Sequence, residues 1–240
     1  MSLNLQIFLG VVTAIAGIVR GFTGFGGALV MAPFFAGFMP PSEAVVVIVT
    51  VQMITSSEGI RQSLRLTDWT TLTPLLFSAC VASPLGIYLL KYADPVTVKR
   101  MTGVFVMVFS LTMLIGVRNR WPITATRSAF VGLASGILGG LTGMGGPPAV
   151  IYLLSGERSS EGHRASFITF FAVLYCITFL MLVAAGLVHW RLILISLPLV
   201  ILYYCGTKIG NACFSRFGDK AFIPICSALL FALGAAASLR

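Results

Sequence analysis

One seven-residue phrase occurs twice in this chain. Gly21-Phe22-Thr23-Gly24-Phe25-Gly26-Gly27 returns 119 residues later as Gly140-Leu141-Thr142-Gly143-Met144-Gly145-Gly146. Both copies fit G-x-T-G-x-G-G and both lie within strongly apolar runs. Four glycines in seven residues open backbone conformations closed to other residues. Non-helical backbone at membrane depth is tolerated only where protein or a water-filled cavity surrounds it. Matched glycine-rich interruptions in two hydrophobic halves therefore predict a duplicated helical bundle with a binding site near its midplane.

Composition fixes the class. Hydrophobic residues make up 58% of the 240, charged residues 10%, and the mean hydropathy is +0.99. A soluble domain carries about 25% charged residues, and this chain cannot cover itself with a polar surface. It is expected to be an all-α polytopic membrane protein forming one bundle. The first residues have no basic n-region and run into the motif without a cleavage site, so the first segment is expected to stay in the bundle. Five scattered cysteines without a C-x-x-C pair argue against a disulfide framework. The net charge of +9 fits Lys and Arg flanking membrane spans, or a basic vestibule that draws in anions.

Apolar runs divide each half into five segments: 3–19, 28–39, 44–60, 72–90 and 101–117, then 129–139, 147–154, 165–188, 192–213 and 222–239. The expected organisation is a repeat over 1–118, a linker over 119–123 and a second repeat over 124–240. Ser42-Glu43 answers to Ser160-Glu161, Trp69 to Trp190, and Leu85-Gly86 to Ile209-Gly210. The second segment of each half is too short to span hydrocarbon, which takes about 20 helical residues. It is either the continuation of a broken helix or the return arm of a re-entrant hairpin. Continuation divides the loop Lys and Arg evenly between the two sides; the hairpin biases them nine to five and implies inverted repeats with both termini outside the cytoplasm.

A helix starting just after each motif presents unpaired, partially positive N–H groups. Pro147 and Pro148 suit such a first turn, where a missing N–H costs nothing. Two helix starts facing each other would form an anion site without a buried cation. Thr23 and Thr142 are expected to add hydroxyl donors. The competing explanation is close helix packing at small residues; repetition with a threonine fixed in both copies favours the ligand site.

The motif pair, the prolines after it and the two hydrophobic halves resemble the TauE/SafE family of sulfite and organosulfur anion exporters, over essentially the whole chain. The resemblance implies an inner-membrane carrier of small sulfur-containing anions such as sulfite, sulfoacetate or related sulfonates, with Gly24, Gly26, Gly27, Gly143, Gly145 and Gly146 at the family's motif positions. Ala28-Leu29 stands where the second copy has Pro147-Pro148.

The expected substrate-binding set is Thr23, Gly24, Phe25, Gly26 and Gly27 with Thr142, Gly143, Met144, Gly145 and Gly146, joined by Arg20 and Gln52. Arg20 precedes the first motif where the second copy has Gly139. It could cap a helix, snorkel to an interface or meet the anion. Gln52, Thr55 and Ser56 are either polar glue between helices or cavity lining. Glu58 is the acid placed to shuttle a proton, or it sits at a helix end near Arg61. Thr169 and Tyr175 occupy the corresponding segment of the second half. Lys208 and Asn211 fall late in the run 192–213, where a lysine must be solvated or paired.

His163 and His189 are expected in loops without companions at metal-ligand spacing. Trp69, Trp121 and Trp190 are expected at the membrane interface. No metal or cofactor is expected, nor any nucleic-acid partner. The expected partners are the anion and the lipid bilayer, with a homodimer left open. A cation carrier would want carboxylates at depth, and the acids lie at loops and segment ends. An intramembrane hydrolase would use Ser135 with His163 or His189, but G-x-S-x-G is absent.

Overall fold

The computed structural model describes residues 3–114, 122–156 and 159–238, with side chains in the last helix described through Arg216. The expected linker, including Arg120 and Trp121, lies largely outside these residues, as do Arg118 and Arg158. Every regular element among them is a helix: α1 (Leu3–Thr23), α2 (Gly27–Phe38), α3 (Pro41–Thr55), α4 (Ile60–Leu66), α5 (Trp69–Tyr92), α6 (Pro95–Leu114), α7 (Ala125–Thr142), α8 (Gly146–Leu154), α9 (Ser160–Ala184) and α10 (Trp190–Ser238). Local chemistry sets several starts. Asp68, Thr124 and Ser159 accept backbone N–H groups at the beginnings of α5, α7 and α9, and Pro41 opens α3 where no N–H is needed.

Four stretches are long and apolar enough to cross a membrane: Asn4–Thr23, Trp69–Tyr92, Ser160–Ala184 and Trp190–Arg216. A fifth is the pair α3–α4, which bends by 80° across Ser56-Ser57-Glu58-Gly59. Gly59, at φ 74°, takes the left-handed turn that starts α4. The sequence reading 44–60 ran through this bend as one segment. Two further corrections concern boundaries. The segments expected at 192–213 and 222–239 are one continuous helix, α10, since the residues between them hold no proline and one glycine, which costs a helix only about 1 kcal/mol. His163, expected in a loop, lies in the first turn of α9 and is buried.

Both short segments are return arms. Phe38, at the end of α2, packs its ring edge-on against Phe8 near the start of α1, with centroids 5.7 Å apart. In the second half, the Tyr152 hydroxyl near the end of α8 donates to the Thr124 carbonyl (3.1 Å) and lies 2.9 Å from Ser128 Oγ at the start of α7. Each motif is thus the turn of a helical hairpin.

The hairpins are held by helices from the opposite half. α1 lies along α10, and α7 along α5, so closely that glycine is required. A methyl group built on Gly17, Gly21 or Gly210 would stand 2.1–2.3 Å from the carbonyl oxygens of Tyr203, Thr207 and Ile18 respectively. On Gly136, Gly140 or Gly86 it would stand 2.1–2.4 Å from those of Ala79, Ser83 and Ile137. The two sets correspond position by position: α1 maps onto α7 by 119 residues and α5 onto α10 by 124. This is small-residue packing of the kind that lets membrane helices touch backbone to backbone.

Contacts also fix directions. Residue numbers rise together across α1–α10 and across α5–α7, so both pairs are parallel. A short connection joins the end of α9 to the start of α10, and Arg164 near the start of α9 meets Asn211, several turns into α10, so those helices are antiparallel. Thr67, just before α5, meets Thr169 near the start of α9 (2.8 Å), and Lys91 at the end of α5 meets the Ala185 carbonyl just past α9 (2.8 Å), so α5 and α9 are parallel. It follows that the motif helices α1 and α7 run in opposite directions. Large apolar side chains on the outward faces, among them Phe77 at 72%, Phe130 at 69% and Ile201 at 66% exposure, present a hydrocarbon-facing surface.

Replacing Gly136 by Ala should lower the thermal unfolding temperature in detergent, with a penalty of about 1–3 kcal/mol for overpacking. Gly103→Ala, in α6 where the added methyl meets nothing within 4 Å, should leave it unchanged or raise it.

Candidate anion site at the helix breaks

The two motifs turn by the same chemistry up to their last glycines. In the first, Gly24 adopts φ 81° and its N–H closes α1 on the Arg20 carbonyl at 2.7 Å. In the second, Gly143 adopts φ 72° and closes α7 on the Gly139 carbonyl at 3.0 Å. Thr23 Oγ1 accepts the Phe25 N–H (3.1 Å) and is in donating reach of the Val19 and Phe25 carbonyls. Thr142 Oγ1 accepts the Met144 N–H (3.2 Å) and donates to Leu138 (2.7 Å). Both hydroxyls, expected as ligand donors, are engaged inside the turn.

The copies then part. Gly26 takes φ 88°, whereas Gly145 stays at φ −67°. The first intrahelical bond of α2 runs from Val30 N–H to the Gly26 carbonyl at 3.1 Å, so the N–H groups of Gly27, Ala28 and Leu29 precede it. The same turn of α8 contains Pro147 and Pro148, which have no N–H to offer.

Each break leans on the third helix of the other half, α9 or α3. Gly24 abuts Arg164 in α9, where an added methyl would stand 2.9 Å from the side chain and 3.1 Å from the carbonyl. The Phe25 ring meets Phe167 edge-on at 5.1 Å. Gly143 lies against Val45 and Ile48 in α3. Farther along, α3 reaches the first break at Gln52, and α9 reaches the second at Phe171 and Leu174. The breaks are therefore offset by about seven residues, or about 10 Å, along α3 and α9. An apolar hollow beside the second break is lined by Ala32, Ala36, Ile48, Val98, Leu141 and Thr142.

Around the first break the surroundings are polar and buried. Gln52, 1% exposed, accepts a 2.5 Å hydrogen bond at Oε1 from the Tyr203 hydroxyl, while its Nε2 has no protein partner. Gly27 lies directly against this pair: a methyl there would stand 1.9 Å from the Tyr203 oxygen and 2.8 Å from Gln52 Nε2. Arg20, 4% exposed, donates to Ser56 Oγ at 3.1 Å and reaches the Thr55 carbonyl at 3.5 Å. Ser56 in turn donates to the Gln52 carbonyl at 2.6 Å. The guanidinium thus sits one turn of α3 from the Gln52 amide, beside neutral partners.

A second polar cluster joins the halves next to this break. Arg164 donates to the Gly21 carbonyl (2.6 Å) and to Asn211, and lies over the Phe214 ring at 4.5 Å. Asn211 donates to Glu58 Oε1 (3.1 Å), which also pairs with Lys208 at 3.0 Å. Glu58 is thus tied across to α10; its other oxygen, Oε2, is buried without a protein partner. Lys208 resolves its cost by reaching outward, its side chain 57% exposed.

Tyr203 was not singled out from sequence, although a tyrosine in a buried apolar helix needs a partner for its hydroxyl. Ser135 is buried beside Gly145, next to Leu174, whereas His163 lies eleven residues earlier on α9, about 16 Å away. The hydrolase pairing of Ser135 with His163 has no geometric basis. Trp69 and Trp190 open α5 and α10 and are both exposed. No group of three or more metal-ligating side chains occurs among the described residues.

No curated protein and no solved structure matches the chain. A family does: the match runs over residues 9–237 and takes in both motifs, both hairpins and the crossed helix pairs. Together with its apolar helices, this places the chain in the sulfite exporter TauE/SafE family, as a multi-pass membrane transport protein.

Proposed function

We propose that the chain is a secondary transporter that exports small sulfur-containing anions, sulfite or a sulfonate, across a cell's inner membrane. Residues 1–118 and 124–240 act as inverted repeats, the glycine breaks form the anion site near the middle of the bundle, and rocking of the repeats gives alternating access. The observation that carries this reading is the crossed arrangement: oppositely directed motif helices, each break resting on the other half. A relative motion of the halves then changes both breaks together.

The charge at the first break favours an anion over a cation. The cations beside it are Arg20 and Arg164, and the nearest acid, Glu58, is held by Lys208 through Oε1. A cation site would need several carboxylate oxygens there, and Glu58 offers only Oε2. Glu58 is proposed as the proton-coupling group, since protonation would release Lys208 and Asn211 and loosen the cluster joining the halves.

Proteoliposomes containing the protein should carry sulfite or sulfoacetate, and Gly26→Leu or Gly145→Leu should abolish the flux. Gly26 cannot hold φ 88° with a side chain, and a methyl on Gly145 would stand 2.6 Å from the Ser135 carbonyl. Full flux in folded Gly26→Leu protein would move the site elsewhere. Glu58→Gln should abolish uptake driven by a pH gradient while sparing anion exchange at equal pH. Retained gradient-driven flux would remove Glu58 from coupling.

A further inference from the structure

The two breaks differ chemically wherever the polar surroundings are concerned. Under the 119-residue correspondence, Arg20 answers to Gly139, Gln52 to Phe171, and Ala28-Leu29 to Pro147-Pro148. Under the 124-residue correspondence, Tyr203 answers to Ala79. Contact geometry respects these pairs: Gly27 meets Gln52 and Tyr203, whereas its counterpart Gly146 meets the Phe171 ring, with 2.8 Å from an added methyl to the ring tip. Among the described residues, the second break thus has an aromatic wall, two missing N–H donors, the buried Ser135 beside Gly145 and no cation.

We propose that the chain has a single, one-sided oxyanion site, at the first break. It is built by the N–H groups of Gly27, Ala28 and Leu29 together with Gln52 Nε2, with Arg20 as the buried counter-charge; the second break serves as a pivot. This rests on the transport reading and says which break holds the substrate. Three observations converge on it. The start of α2 offers three N–H groups and the positive end of a 12-residue helix. Gln52 Nε2 is a buried donor beside Gly27 without an acceptor, a costly arrangement unless something else accepts from it. Arg20 is a buried cation whose hydrogen bonds go to a hydroxyl and a carbonyl, so a nearby anion would stabilise it.

Tyr203 is the positioning residue. By donating to Oε1 at 2.5 Å it fixes the Gln52 amide with its NH2 toward α2. Every group turned to the site is then a donor, which selects a ligand with several acceptor oxygens and no proton to give. A sulfonate head or the sulfite dianion meets that description. Because Tyr203 comes from α10 and Gln52 from α3, the donor set is complete only when the halves are in the relative position seen here.

The test uses sodium sulfite as the probe, with the full chain in detergent for thermal unfolding and in proteoliposomes for flux. Wild-type protein should unfold at a higher temperature with sulfite, saturably. Gln52→Glu places a carboxylate within reach of Arg20 and the α2 start, so it should raise the unfolding temperature without sulfite and erase the response to it. Loss of packing alone would lower that temperature. Tyr203→Phe keeps the ring and should raise the KM for sulfite about tenfold, from one misaligned hydrogen bond. Phe171→Leu should leave KM within twofold. Flux or stabilisation by sulfite undiminished in Gln52→Glu, or a KM shift in Phe171→Leu as large as in Tyr203→Phe, overturns the one-sided site while leaving transport standing. Wild-type protein neither stabilised nor crossed by sulfite or sulfoacetate overturns both.

Discussion

Backbone contact between crossed helices is the constraint on which the remaining structure depends. In lipid, helices gain little from burying apolar side chains against one another, and close approach must come from small residues. Here the small residues lie in register on both members of each pair: Gly17 and Gly21 against Gly206 and Gly210, and Gly132, Gly136 and Gly140 against Ser78, Ala79, and Ser83 with Gly86. Because each motif helix takes its partner from the opposite half, the turn at its end is delivered to the interior of the bundle. There Gly24 and Gly143 meet α9 and α3. Site geometry is a by-product of that packing.

The glycines consequently divide into two kinds. Gly21 and Gly140 open the motifs in sequence but serve helix contact, each lying against a carbonyl of its partner. Gly24, Gly26 and Gly143 hold left-handed backbone that other residues resist. Gly27 does neither; it leaves room for Tyr203 to reach Gln52. Helix contact, backbone conformation and room for a neighbouring side chain thus fall to different residues of one motif.

Much of the architecture was legible because hydropathy and repetition are long-range signals. The helical class and most apolar segments follow from them. Direction was not legible: a 12-residue apolar run is equally consistent with going on or turning back, and only contacts such as Phe8 with Phe38 decide. The bend after Thr55 was hidden by flanking apolar residues, although Ser56-Ser57-Glu58-Gly59 is a turn by composition. At the breaks, the repeated threonine was visible, but its commitment to local backbone was not. Arg20 and Gln52 could be named as polar residues in apolar context. Their union with Tyr203 could not, since that residue arrives from 151 positions away.

The crossed pairing also bears on how such a chain is made. α1 is synthesised well before the surface that receives it, from Tyr203 to Gly210 in α10, leaves the ribosome. α7 finds α5 already inserted, so the second motif can be seated while synthesis continues. The first motif waits, its glycine face unpartnered and its arginine without a settled environment, until α10 is in the bilayer. Contacts separated so widely in sequence form late. The first break, which gathers polar side chains from α1, α3, α9 and α10, is thus the last to acquire its shape.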